Sequence, residues 1–110
     1  MKVLLRIAIL MIACGEILAG TLFDQEISGI RQYGADGLTV IYLKNDFVSP
    51  NECNGGPWGN KAVLLRTSEP NSERILSVAL AAQMAGRKVD VAVKNSCDAN
   101  TESLHSILIK

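Results

Sequence analysis

The sequence predicts a mainly β domain with one helix, in the order β-β-β-α-β-β. Three observations carry this reading. Short apolar runs with two-residue alternation recur between turn signals, and one run with helical spacing separates the third from the fourth. Two cysteines, Cys53 and Cys97, also lie far enough apart to staple a small domain.

Residues 26–33, EISGIRQY, read as the first strand, where Gly29 interrupts the alternation of Ile27 and Ile30 and so marks a bulge or bend. Gly34-Ala35-Asp36-Gly37 is a turn signal. Leu38 to Lys44 is the second strand, with Leu38, Val40 and Tyr42 on one face and Thr39, Ile41 and Leu43 on the other. Both faces are apolar enough for a central strand. Asn45 to Asn60 is a long loop that holds Cys53 and Trp58, and its proline and glycine gather over 50–59. Lys61 to Thr67 is the third strand. Ser68 or Asn71 is placed to cap the following helix, and Glu73 suits its positive end.

The helix spans 72–85, SERILSVALAAQMA. Ile75, Leu76, Ala79, Leu80 and Met84 recur at helical spacing as its core stripe, and Gly86 supplies a left-handed stop. In the strand 88–94, Val89, Val91 and Val93 alternate inward against Lys88, Asp90, Ala92 and Lys94. Residues 95–103 form a polar loop with Cys97, and 104–110, LHSILIK, are the last strand. A five-stranded barrel with its helix between strands three and four is the OB-fold plan, and a first strand bent at a glycine suits so small a barrel. A small α+β sheet with one covering helix fits the same order.

Residues 1–20 read as a secretory leader. Lys2 and Arg6 precede the apolar run Ile7–Cys14, and Ala19 and Gly20 are small enough for cleavage. The run is shorter than the roughly 20 apolar residues that span a bilayer. Residues 21–110 are then a single secreted or periplasmic domain with no transmembrane segment. In the alternative, Met11-Ile12-Ala13-Cys14-Gly15 acts as a lipobox and Cys14 carries a lipid anchor. Of the 11 basic and 11 acidic residues, Lys2, Arg6 and Glu16 lie in the leader, so the remainder is nearly neutral. That balance argues against a nucleic-acid partner, which calls for a concentrated basic patch.

A disulfide is the expected state of Cys53 and Cys97 in an oxidising compartment. Closing a loop of about 45 residues is worth roughly 4 kcal/mol in the chain-entropy model. Two cysteines and the distant His105 make a poor metal set. No cofactor is expected.

The stretch ILSVALAAQMAGRKVDVAVKNSC, residues 75–97, resembles the helix, glycine turn, strand and cysteine of bacterial AB5-toxin B subunits of the subtilase-cytotoxin and typhoid-toxin type, and of small secreted proteins related to them. The pattern agrees over residues 38–110. The resemblance implies a secreted OB-fold with an internal disulfide, a homo-oligomer, pentameric in that family, and a glycan ligand. No sugar-binding residue of that family is matched position by position.

The helix has a second side of small residues, Val78, Ala81, Ala82 and Ala85, less polar than a solvated face usually is. These are the candidate oligomer interface, while alanine as an exposed helix former is the plainer reading. The candidate ligand surface is the Cys53 loop, where Asn54, Asn60 and Trp58, joined by Tyr33 and Tyr42 from the strands, combine amides with aromatic rings. A sugar offers both hydroxyls and an apolar face to such a mix. Equally, Trp58 can fill an end of the barrel while the asparagines make turns.

No catalytic pattern accompanies these features. His105 has no spaced nucleophile and orienting partner, the cysteines are not a Cys-X-X-Cys pair, and Gly55-Gly56-Pro57 lacks the lysine and hydroxyl of a phosphate loop. The expected function is therefore a non-enzymatic binding module, which the resemblance implies to be oligomeric and glycan-binding. The alternative is a monomeric, periplasmic or lipid-anchored module that binds another protein through an exposed strand edge.

Overall fold

A computed structural model describes residues 20–34 and 37–110. The leader predicted over 1–20, Gly20 excepted, lies outside the described residues, as do Cys14 and the middle of the 34–37 turn. The chain forms β1 (Thr21–Gln25), β2 (Ile27–Tyr33), β3 (Leu38–Leu43), a 3-10 turn (Gly56–Trp58), β4 (Ala62–Arg66), α1 (Ser72–Ala85), β5 (Val89–Asp98) and β6 (Thr101–Ile109). The strands make one mixed sheet in the order β1-β5-β6-β4-β3-β2, in which only β4 and β6 run parallel. No ladder closes the sheet between β1 and β2, so the described fold is a six-stranded open sheet with one helix. No helix among the described residues is long and apolar enough to cross a membrane.

The expected five strands become six because a strand precedes the bend. β1 pairs with β5, Glu26 intervenes, and β2 pairs with β3, so consecutive strands lie at opposite edges of the sheet. Asp24 takes a left-handed φ of 55°, and the β1–β5 register slips between Leu22 and Gln25. Only Leu22 of β1 is buried, which is why alternation gave it away so weakly. A second slip falls between Ile27 and Gly29 of β2, where the sequence predicts a bulge. β3 lies between β2 and β4, as its two apolar faces require.

The predicted polar loop 95–103 is instead the tip of a long β5–β6 hairpin. Asp98 pairs with Thr101, and Ala99 and Asn100 both take positive φ, 50° and 62°. Two such residues match the twist of antiparallel strands in a two-residue turn. Cys97 therefore sits on a strand.

One core cluster draws on every strand and on α1, from Leu22 and Ile27 through Ile41, Val63 and Val91 to Leu104. The sheet is thus curled enough for its inner faces to share one interior. The helix meets it in a different phase from the predicted one. Ala79 and Ala82 are fully buried, with Ile75 and Leu76 packed beside them, whereas Leu80 is 42% and Met84 87% exposed. Ala82 is thus a core residue and no part of an outer face. The reason is steric: two alanines on one side let α1 rest close on β2 and β6, and the larger Leu80 and Met84 are turned aside. Asn71 starts the helix in a left-handed conformation with no side-chain cap, and Gly86, φ 65°, ends it with its N–H directed to Gln83 O.

A bidentate pair joins β4 to β5: Arg66 Nε and Nη2 donate to Asp98 Oδ2 and Oδ1, each at 2.8 Å. The hydrogen bond from Arg66, helped by its charge and opposed by partial burial, holds the Asp98 carboxyl below its ordinary 3.8. The unfolded chain then binds this proton more readily than the folded one, so the stabilisation is present above 3.8 and is lost as pH falls through the lowered value. We expect Asp98→Asn to lower stability at neutral pH and to flatten the loss of stability below about pH 4, both measured by urea denaturation across pH.

Candidate functional site

The site grows from the long β3–β4 loop, which needs outside anchors because it holds almost no regular structure of its own. At its base Leu43 and Phe47 donate backbone N–H groups to Lys61 O and Asn60 O, at 2.6 and 3.0 Å. In its middle Cys53 is bonded to Cys97 of β5, S–S 2.01 Å, Cα–Cα 5.8 Å.

Beside that bond lies Glu102 of β6, 1% exposed. Its Oε1 accepts from Asn51 Nδ2 at 2.6 Å and its Oε2 from Asn51 N at 2.9 Å, while Ser49 Oγ donates to the same Oε2. Ser49 Oγ also accepts from Cys53 N at 2.8 Å, and Asn51 Nδ2 reaches Lys94 O at 2.6 Å. A carboxylate out of water is costly unless hydrogen-bonded, and this one is held by donors from the loop alone. Glu102 is the residue that sequence reading missed. It sits in a stretch that reads as a polar loop, and only recognition of the Ala99-Asn100 hairpin turn places it on a strand.

Past the disulfide the chain turns sharply. Gly55 N donates to Asn100 O at 2.7 Å. Gly55 has φ 85°, and a Cβ there would lie 2.2 Å from Gly59 O. A Cβ at Gly56, φ 53°, would lie 2.7 Å from Ala99 O. Two glycines and Pro57 thus make the tight 3-10 turn that delivers Trp58.

Trp58 comes down on the outer face of β3 and β4, against Leu38, Val40, Ala62 and Leu64, with Tyr33 and Tyr42 alongside. Its Nε1 donates to Tyr33 Oη at 3.2 Å, and the rings meet edge to face, centroids 6.3 Å apart. The Arg31 guanidinium stands 4.9 Å from the centre of the Tyr33 ring. All three aromatic side chains remain half-exposed. Tyr33 Oη accepts from the indole, so its own hydrogen is available to a further acceptor.

Of the candidate ligand residues, Trp58 and Tyr42 are therefore brought together, with Tyr33 added. Trp58 packs on the outer face of the sheet and not across the end of a barrel. Asn54 and Asn60 are exposed on the loop but serve its shape: Asn54 Oδ1 accepts from Gly56 N at 2.9 Å, and Asn60 supplies the carbonyl to Phe47. His105 is exposed where the β5–β6 register slips between Leu104 and Ser106. Among the described residues, no group of three or more His, Cys, Asp or Glu side chains is placed to hold a metal. Comparison of the chain with protein-family models, curated proteins and solved structures finds no match.

Truncating Glu102 tests the anchor. Glu102→Ala takes the acceptor from Ser49 Oγ and Asn51 N, both half-buried, and leaves Asn51 Nδ2 with Lys94 O alone, at an expected total cost of about 1–3 kcal/mol. Glu102→Gln keeps one acceptor and is expected to cost less. Urea denaturation of both variants against the parent measures the difference.

Proposed function

We propose that this chain is a non-enzymatic binding module whose ligand is a glycan, received on the Tyr33–Trp58 surface. The observation that carries the reading is the gathering of Tyr33, Tyr42 and Trp58 on one outer face beside the Arg31 guanidinium. Aromatic rings accept the apolar face of a sugar, and the Tyr33 hydroxyl and the loop amides meet its hydroxyls. The surrounding loop is pinned at both its base and its middle, so little ordering is left to oppose binding.

We also infer an OB-fold architecture and export from the cytoplasm, in keeping with the resemblance to toxin B subunits. The parallel β4–β6 pairing, α1 between β4 and β5, and a bent first segment serving both sheet edges all support the first. A paired Cys53 and Cys97 supports the second, because disulfides persist in oxidising compartments. Homo-oligomer formation through the small side of α1 keeps Val78, Ala81 and Ala85 as its candidates, with Ala81 and Ala85 exposed and Val78 half-buried.

A glycan array of the exported protein tests the ligand class. Binding is expected to fall about two- to tenfold in Tyr33→Phe, the value of one hydrogen bond, and to vanish in Trp58→Ala while the circular dichroism spectrum is kept. A Trp58→Ala protein of lower stability but unchanged glycan binding would make Trp58 a packing residue only. Light scattering at micromolar concentration tests assembly: a multiple of the monomer mass is expected, and a strict monomer contradicts it.

A further inference from the structure

A second surface, which shares no residue with the aromatic one, lies between β2 and α1. It is a groove of about 430 Å³ lined by Gly29, Ile30 and Gln32 on the strand and Leu76, Leu80 and Gln83 on the helix. Leu76, Leu80 and Met84 follow one another at four-residue spacing and so form a row along one flank of α1. Leu80 and Met84 are two of the five large apolar side chains that the described residues leave exposed.

The strand side of the groove is a free edge. β2 ends the sheet order, and among the described residues no backbone bond reaches its outer edge. Among the described residues the one hydrogen bond from the helix to β2 comes from the Gln83 side chain, whose Nε2 donates to Ser28 O at 3.4 Å. Proteins blunt such edges with bulges and charge. β1, at the other end of the sheet, carries a left-handed Asp24 bound to Lys110 Nζ at 2.6 Å. β2 slips register once, between Ile27 and Gly29, and then runs regularly to Tyr33 with Arg31 as its one charged side chain.

The charge in the groove is equally one-sided. Its lining is neutral, and an adjoining pocket that shares Gln32 and Leu76 with it is lined by Glu73. Among the described residues the Glu73 carboxylate makes no ion pair or side-chain hydrogen bond. A strand added antiparallel to β2 begins where β2 ends, near Gln32, and so places its N-terminal residue at Glu73.

We propose that this groove binds an extended peptide segment of a partner protein by strand addition to β2, antiparallel, with apolar residues at alternate positions over the Leu76–Leu80–Met84 row and a lysine at its N-terminal end against Glu73. Main-chain hydrogen bonds hold such a strand, the apolar row selects the side chains on one face, and the lone carboxylate fixes direction. This goes beyond the glycan reading and does not rest on it.

The test is fluorescence anisotropy with the peptide Lys-Val-Thr-Val-Thr-Val, labelled at its C-terminus, added to the parent protein. Saturable binding is expected. N-methylation of one alternate set of peptide nitrogens is expected to abolish it, and methylation of the other set to leave it. Glu73→Gln is expected to weaken the lysine peptide several-fold and leave a glutamine-first peptide unchanged. Leu80→Ser and Met84→Ser, at exposed positions, are expected to weaken both. Lack of saturation up to about 1 mM peptide, or equal loss with either methylated set, overturns the proposal. Binding that proceeds only as the peptide splits an oligomer of the chain, followed by light scattering, assigns the groove to a second copy and overturns it too.

Discussion

The structure depends on how a long loop with almost no regular structure is fastened to the β5–β6 hairpin. Two fastenings of different physics meet within a few residues. Cys53 is covalently bound to Cys97, and Glu102, the cross-strand partner of Cys97 in the hairpin, gathers Ser49 and Asn51 of the same loop. A bond of the first kind limits the unfolded chain, while the second is specific to the folded one. Together they leave the segment from Gly55 to Gly59 little freedom except a tight turn, and that turn sets Trp58 on the sheet. The Gly55 N–H to Asn100 O and the indole Nε1 to Tyr33 Oη then complete the placement of the ring over Val40 and Leu64.

The sheet and helix impose a second constraint. Small residues at Ala79 and Ala82 bring α1 down onto β2 and β6, and the interior is completed by side chains from all six strands. The same approach leaves Leu80 beside the uncovered edge of β2 and Met84 exposed one turn further along the helix. Close packing on one side of the helix and an apolar flank on the other are therefore one geometric fact. It gives the molecule two distinct surfaces, aromatic on the outer sheet and aliphatic along the helix.

Much of this is legible in the amino-acid order. Val89, Val91 and Val93 alternate cleanly and are all buried, Gly86 ends the helix in the left-handed conformation it suits, and the Gly29 interruption coincides with a register slip. What escapes has physical causes. β1 buries only Leu22 and exposes Phe23, so it carries no alternating signal. The hairpin tip uses Ala99 at positive φ, a conformation that alanine does not advertise, and this hides both the strand position of Cys97 and the buried role of Glu102. The phase of α1 is misread because periodicity favours large side chains, whereas close approach favours small ones. At the aromatic surface the residue types were readable, but their meeting depends on a turn whose anchors lie 43 and 51 residues away, a distance no local pattern spans.

The most direct measurement is peptide mapping by mass spectrometry of the exported protein, alkylated and digested without reduction. The account requires one linked species joining the peptides of Cys53 and Cys97. Recovery of both cysteines as alkylated free thiols would contradict it, and with it the anchored loop on which the aromatic surface rests.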